Sequence, residues 1–294
     1  MIAIGIDLGG TRIKAVAIDA EGNLLHQLYL PTNDGDEMVW KNSVTQAVNE
    51  LKKEINKQDV VIGISAPGLP NENNTTIAFM PGRLQGLENF DWTSFLRQQT
   101  WVLNDGIAAM VAEAKFGSAK NKKNVVMLTL GTGVGGAILI NGKPYQGAFN
   151  KAGHFGHMVI NDEGDCDVTG MPGSLEECIG NITVEKRSGG KFTSTHQMLN
   201  AYRNGDAFAK EVWLRSVKKL AIGLASVTNI LSPETIVLGG GITECGKDLF
   251  EPLKEYMIKY EWRAGGNGVE IVKAEFGDIA GAIGAACFAL ERES

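Results

Sequence analysis

Three short apolar runs in this chain end in glycine clusters, and that recurrence constrains the fold more than any other feature. Residues 2–7 lead into Gly9-Gly10-Thr11, residues 125–130 into Gly131-Thr132-Gly133, and residues 235–238 into Gly239-Gly240-Gly241. Runs of this length bounded by turn residues predict buried β-strands. Glycine lets backbone amides approach an anion with no side chain in the way. One such loop is usually a turn. Three, each at the end of a predicted strand, point to a nucleotide site.

The segments between these loops predict an α/β chain. A second strand is expected over 13–19 and a third over 24–30, separated by the turn-forming Ala20-Glu21-Gly22-Asn23. The 37–57 stretch changes to helical spacing, with Met38, Val44, Val48, Leu51 and Ile55 as its apolar face. Further strands are predicted over 60–65 and 101–103, and a loop over 71–89. A helix is expected over 108–116 and a polar hinge over 117–124. Strands at 125–130 and 137–140 bracket a glycine loop, and Asn141-Gly142 is a two-residue hairpin signal. Long helices over 216–231 and 280–291, with strands at 235–238 and 269–274, complete the chain. The order strand, glycine loop, strand, turn occurs twice, so residues 7–11 correspond to 129–133 as an internal repeat.

The glycine loops do not fit the commonest nucleotide folds. No G-x-x-x-x-G-K-[ST] run is present, which excludes a P-loop. Gly131 to Gly136 reads GTGVGG and fits G-x-G-x-x-G. A strand and a hairpin signal follow it instead of a helix, so a dinucleotide-binding Rossmann unit is disfavoured.

Composition removes other classes. The net charge of −6 argues against a nucleic-acid binder. No long apolar run predicts a membrane span. The N-terminal MIAIGIDLGG has no positive leader and carries an acid inside its apolar stretch, so it reads as a strand. The four cysteines (Cys166, Cys178, Cys245, Cys287) are scattered without a paired framework, which predicts free thiols and a cytoplasmic location.

DLGGTRIK (7–14), LGTGVGGAILINGK (130–143) and LGGGI (238–242) resemble the first phosphate loop, second phosphate loop and adenosine motif of the sugar kinase, actin and heat-shock chaperone ATPase superfamily. NDGIAAMVAEAKFG (104–117), AGHFGHMVI (152–160) and GSLEECIG (173–180) are similar to ROK sugar kinases in particular. The resemblance implies two actin-like ATPase (ribonuclease H-like) domains around a central cleft. It places residues 1–117 with a C-terminal helix at 280–294 in the first domain and 118–279 in a larger second one. It also implies ATP and Mg²⁺ as cofactors and, by family habit, a homodimer. The partners are then a small-molecule sugar and ATP, with no nucleic acid and no membrane.

The resemblance also assigns residues. Asp105 falls where these kinases carry the base that accepts the proton of a sugar hydroxyl. Asp105 also follows a predicted strand and precedes a helix, where a helix N-cap is the bland alternative. Asp7 is expected to place Mg²⁺ beside the phosphates, directly or through water. A charge ending an apolar strand is costly without a partner. Gly9, Gly10, Thr11, Gly131, Thr132, Gly133, Gly239, Gly240 and Gly241 are expected to hold the nucleotide. Lys14 either helps them or is an exposed strand lysine. Asn104, Asp105, His154, His157 and Glu176 are expected to hydrogen-bond the sugar, with Pro67 and Gly68 as a wall.

Two departures from the family stand out. The usual motif is G-E-x-G-H, whereas this chain has Gly153-His154-Phe155-Gly156-His157. An imidazole in place of a carboxylate changes the hydrogen-bond code. It suits a sugar with a different group at carbon 1 or 2, such as an N-acetyl amide. Many ROK proteins also hold a structural zinc through one histidine and C-x-C-G-x-x-G-C. The equivalent stretch here, Cys166 to Ser174, keeps one cysteine, so no structural zinc is expected.

The leading expectation is a kinase that transfers the γ-phosphate of ATP to a hexose, glucose at O6 foremost. An N-acetylmannosamine or N-acetylglucosamine kinase is the alternative. A sugar-sensing regulator is the least favoured. Such proteins carry a DNA-binding domain before the first phosphate strand, and here that strand begins at residue 2 with the net charge negative.

Overall fold

The computed structural model describes residues 1–80, 82 and 84–293, so Pro81 and Arg83 of the expected 71–89 loop lie outside the described residues. The chain forms two units. The first comprises residues 1–121, 142–152 and 275–294, and the second residues 122–141 and 153–274.

The first unit is built on a five-stranded sheet. Its strands are β1 (Ile2–Leu8), β2 (Arg12–Asp19), β3 (Leu24–Pro31), β4 (Val61–Ala66) and β7 (Thr100–Asn104), in the order β3-β2-β1-β4-β7. β1, β4 and β7 run parallel, with Asp7 beside Ser65 and Ala66 beside Asn104. The chain between β4 and β7 holds a small antiparallel pair, β5 (Leu69–Pro70) and β6 (Ile77–Phe79), where only a loop is expected. The segment 142–152 begins with the short β10 (Lys143–Pro144).

Helix α1 (Glu37–Glu54) is capped by Asp36, whose carboxylate accepts from the amides of Met38 and Val39. Its buried face is Trp40, Val44, Ala47, Val48 and Leu51. The expected Met38 is exposed instead, because Trp40 packs against Trp92 of α2 (Trp92–Leu96) with ring centroids 5.8 Å apart. That aromatic contact turns the helix and leaves Met38 to solvent.

Helices α3 (Asp105–Lys115) and α9 (Ala280–Arg292) complete this unit. The small residues of α9 have a steric reason. A Cβ on Gly5 of β1 would lie 1.9 Å from the carbonyl oxygen of Ala282, and one on Gly63 of β4 would lie 1.9 Å from that of Ala285. Glycine in two adjacent strands thus lets α9 lie with its backbone almost against the sheet.

The second unit repeats the plan. β8 (Val125–Leu130) pairs antiparallel with β9 (Val134–Ile140) and parallel with β11 (Thr235–Gly239), which pairs parallel with β12 (Glu270–Lys273). β8 thus occupies the position of β1, β9 that of β2, and β11 that of β4. The registers agree as well: Asp7 faces Lys14 and Ser65, while Thr129 faces Gly135 and Gly239. Helices α4 (Leu175–Ile179), α5 (Val184–Arg187), α6 (Thr195–Arg203), α7 (Ala207–Leu231) and α8 (Lys247–Tyr260) belong to this unit. α7 begins well before the expected 216, because Asp206 caps it through the amide of Ala209. Among the described residues no helix is long and apolar enough to cross a membrane.

Candidate active site

In the first unit the parallel register of β1, β4 and β7 sets three side chains at the carboxyl ends of adjacent strands: Asp7, Ser65 and Asn104. In open α/β sheets this edge is where ligands bind. Asp7 is held from two sides. Nζ of Lys14 donates to Oδ2 at 3.0 Å and Oγ of Ser65 donates to Oδ1 at 2.8 Å. Lys14 therefore acts first on Asp7, and fully buried Ser65, absent from the sequence reading, is its second partner. Gly281 of α9 makes room for this carboxylate, since a Cβ there would lie 2.6 Å from Oδ1. The turn Gly9-Gly10-Thr11 is closed by the Gly9 amide donating to the Arg12 carbonyl at 3.2 Å. Thr32 braces it by donating from its amide to the Thr11 carbonyl at 3.2 Å and from Oγ1 to the Gly9 carbonyl at 2.5 Å.

Asn104 ends β7 and caps α3. Its Oδ1 accepts from the amides of Gly106 at 2.9 Å and Ile107 at 3.4 Å. Its Nδ2 donates to the carbonyl of Gly68 at 3.0 Å, which ties the Pro67-Gly68 turn to the same strand end. Gly68 has φ +101°, and a Cβ there would lie 2.6 Å from the Phe79 carbonyl oxygen, so the turn requires glycine. The cap is thus Asn104. Asp105 is the first residue of the helix and is exposed, with Oδ1 accepting from the Gly106 amide at 2.8 Å.

In the second unit the loop Gly131-Thr132-Gly133 is fixed by its backbone. The Gly131 amide donates to the Gly133 carbonyl, and the amides of Asn181 and Ile182 donate to the carbonyls of Gly131 and Thr132, each at 2.9 Å. Glu176 of α4 adds a side-chain tie: the Val134 amide donates to its Oε2 at 2.8 Å. A Cβ on Gly133 would fall 2.1 Å from that oxygen, so glycine is what admits the carboxylate. After β11, Gly240 takes φ +87°, and a Cβ there would lie 2.4 Å from the carbonyl oxygen of Leu130. Gly131, Thr132 and Gly241 meet at one cavity of about 460 Å³, whose other wall includes His196, Leu199 and Arg203 of α6. That volume lies in the range of small-ligand sites. The α6 wall is absent from the sequence reading, because nothing in a polar nine-residue helix marks it as lining a cavity.

The segment 153–157 lies against β9. A Cβ on Gly153 would lie 2.8 Å from the Ala137 Cα, and one on Gly156 would lie 2.1 Å from the Val134 carbonyl oxygen. This brings His154 and His157 together, their rings stacked with centroids 6.4 Å apart. Burial pushes the His154 imidazole below its usual range, and neighbouring His157 adds to the effect. His154 is therefore neutral near pH 7 and offers one donor and one acceptor. Nδ1 of His157 pairs with Oδ2 of Asp167 at 2.9 Å, a partner the sequence reading does not contain.

The residues can be tested against the two metals at issue. Asp7 is a lone, partly buried carboxylate at a strand end beside a glycine turn. This fits Mg²⁺, which takes one or two carboxylates and keeps several waters. Zinc fits poorly. Between Cys166 and Ser174 there is one thiol, which is exposed, where a structural zinc would need several, and Nδ1 of His157 already faces a carboxylate.

The sequence signature of the ROK family matches residues 3–292. The chain belongs to the ROK family. Its fold is that of the actin-like ATPases. A glucokinase of Streptomyces coelicolor is 28% identical over 322 residues, covering 99% of this chain and 98% of the relative. An N-acetylmannosamine kinase of Vibrio cholerae is 32% identical over 250 residues, covering 82% and 84%. The crystal structure of a ROK family glucokinase from Streptomyces griseus, in complex with glucose and AMPPNP, is similar with a TM-score of 0.79 and 25% identity, covering 99% of this chain and all of that one. Kinase action on a sugar is what the names of these ROK relatives share.

Proposed function

We propose that this ROK protein is an ATP-dependent sugar kinase that transfers the γ-phosphate of ATP to a hydroxyl of a hexose. The observation that carries this reading is the cavity shared by the second and third glycine loops, Gly131-Thr132 and Gly241, joined to a family whose relatives are sugar kinases. Backbone amides from these loops, with the Thr132 hydroxyl, would take the phosphate oxygens. The α6 side of the cavity would take the nucleoside. Gly9, Gly10 and Thr11 would serve the transferred phosphate.

Phosphoryl transfer asks the protein for positioning and charge stabilisation more than for covalent chemistry. Asp105 would accept the proton of the attacking sugar hydroxyl, and Asn104 supports it by rigidifying the strand end. Mg²⁺ entering with ATP would be held beside Asp7, through water because both carboxylate oxygens already accept hydrogen bonds, and it would neutralise phosphate charge. Asn104, His154, His157 and Glu176 are the proposed sugar contacts, with Pro67 and Gly68 as a wall.

Glucose at O6 is the first acceptor to test. N-acetylmannosamine or N-acetylglucosamine is the second reading, favoured by neutral His154 standing where the family has a carboxylate. An imidazole N–H can donate to an amide carbonyl, and a carboxylate cannot. The deciding experiment is ADP release with ATP and Mg²⁺ across glucose, mannose, fructose, allose, N-acetylglucosamine and N-acetylmannosamine. Turnover of at least one supports the kinase. Tight ATP binding with no ADP release for any of them defeats it.

A further inference from the structure

The loop that follows the two histidines buries a carboxylate for which the phosphate chemistry has no use. The side chain of Asp167 is fully buried. Three donors converge on its Oδ1: the Thr169 amide at 2.8 Å, the Thr169 hydroxyl at 2.7 Å and the Met171 amide at 3.1 Å. Its Oδ2 faces one group alone in this network, Nδ1 of His157 at 2.9 Å. The backbone is shaped for the purpose. The Asp167 amide donates to the Met171 carbonyl at 2.9 Å, and the Gly170 amide donates to the Asp167 carbonyl at 3.0 Å. Gly170 makes this turn with φ +85°.

Burial alone would raise the Asp167 carboxyl. The Thr169 hydroxyl, His157 and the amides of Thr169 and Met171 together outweigh it and hold the group well below the usual carboxylate range. Asp167 is therefore an anion at every working pH and can only accept. The proton in the bond must sit on Nδ1 of His157. In the neutral ring the other nitrogen, Nε2, is then a bare lone pair. About a third of the His157 side chain is exposed, and Nδ1 is turned onto a fully buried group, so the rest of the ring is what a ligand can meet.

We propose that Asp167 is a positioning residue of the sugar site, which fixes His157 as an Nδ1–H tautomer so that Nε2 accepts a hydrogen bond from a sugar hydroxyl. The proposal rests on the reading of His157 as a sugar contact. It assigns the two stacked imidazoles different roles. His157 can take only a hydroxyl donor, whereas His154, with no carboxylate on it in this network, can take either a donor or an acceptor. Asp167 also stands where a metal on Nδ1 would have to stand, so in this chain a carboxylate orients the ring.

Asp167→Asn is the discriminating variant. The amide oxygen can keep the bonds from Thr169 and Met171, while the amide NH₂ now donates to Nδ1 and forces the proton onto Nε2. In ¹⁵N-imidazole spectra of the full chain, native neutral His157, assigned by comparison with His157→Gln, should show a protonated Nδ1. In Asp167→Asn the protonated nitrogen should be Nε2. Turning one buried acceptor into a donor should raise KM for the best sugar by about 10- to 100-fold, with KM for ATP little changed. A native His157 protonated on Nε2 overturns the proposal whether or not Asp167→Asn folds. So does an Asp167→Asn variant with native thermal stability and an unaltered sugar KM. If the tautomer switches but no sugar parameter moves, and His157→Gln is equally silent, the sugar contact of His157 is what fails, while turnover by the native chain still supports the kinase.

Discussion

The two units solve the same problem by different means. Each places an antiparallel hairpin and a parallel neighbour around a central strand, and each turns the hairpin with glycines. In the first unit the strand ends in an acid, Asp7, compensated by Lys14 and Ser65. At the same register position the second unit has Thr129, and its loop is held by backbone bonds from Asn181 and Ile182 and by Glu176 reaching in from α4. A partly buried charge is costly unless paired, so it is kept where a charge has work to do. The first loop is thus suited to a metal–phosphate contact and the second to phosphate oxygens met by neutral donors.

The strongest test of this division concerns the first unit. Asp105→Asn should leave folding and ATP binding intact and lower turnover by about 10²- to 10⁴-fold, as expected for loss of a general base. Steady-state kinetics with parallel ATP titration decide the matter, and a near-normal rate removes Asp105 from the chemistry.

Next in size is a matched pair. Asp7→Asn should lower kcat on the order of 10²-fold and raise the Mg²⁺ concentration needed for half-maximal rate. Thr129→Val, at the equivalent position of the second unit, should leave the Mg²⁺ requirement alone. If both variants shift that requirement alike, the two loops are not specialised as described.

Gly240→Ala sharpens the comparison from the other side. A methyl group at φ +87° and 2.4 Å from a carbonyl oxygen cannot be accommodated without moving backbone. A loss of about 1–3 kcal/mol in unfolding free energy is expected, with weaker ATP binding and no change in metal requirement. Denaturant unfolding and calorimetric titration would show it.

Smaller still is the effect of His154→Glu, which should move the ratio of kcat/KM values toward glucose and away from N-acetylhexosamines. An unchanged ratio would mean that His154 only supports the loop carrying His157. The smallest effect is on pH dependence. The His154 imidazole titrates lower in the folded chain than its ordinary 6.5, so the unfolded chain takes up a proton first as pH falls. Stability contributed by neutral His154 is present above that value and is lost as pH drops below it. Urea midpoints between pH 7 and pH 5 should therefore fall less for His154→Gln than for the native chain.

Much of this was legible in the sequence, for local reasons. The strands at 2–7, 125–130 and 235–238 could be read because short apolar runs stop at glycines, and the internal repeat followed from their order. What stayed hidden depends on tertiary placement. Asn104 and Asp105 are adjacent and both favour capping, so only the backbone shows that Asn104 takes the cap. Ser65 joins Asp7 through strand register across 58 residues. The α6 wall of the cavity has no periodic signature pointing to a ligand. The link from Asp167 to His157 depends on a turn whose shape is set by Gly170, and a run of polar loop residues does not announce it.

The contact of Gly5, Gly63 and Gly281 with the rest of their unit has a consequence in time. The helix that covers this face of the first sheet, and carries the glycine beside Asp7, is made from residues 280–292, whereas the sheet itself is complete at residue 104. On the ribosome the whole 153–274 stretch of the second unit must be synthesised while that face still lacks its cover. The nascent first sheet is thus an exposed apolar surface for most of translation. The Asp7 carboxylate gains its full surroundings only when the last helix emerges.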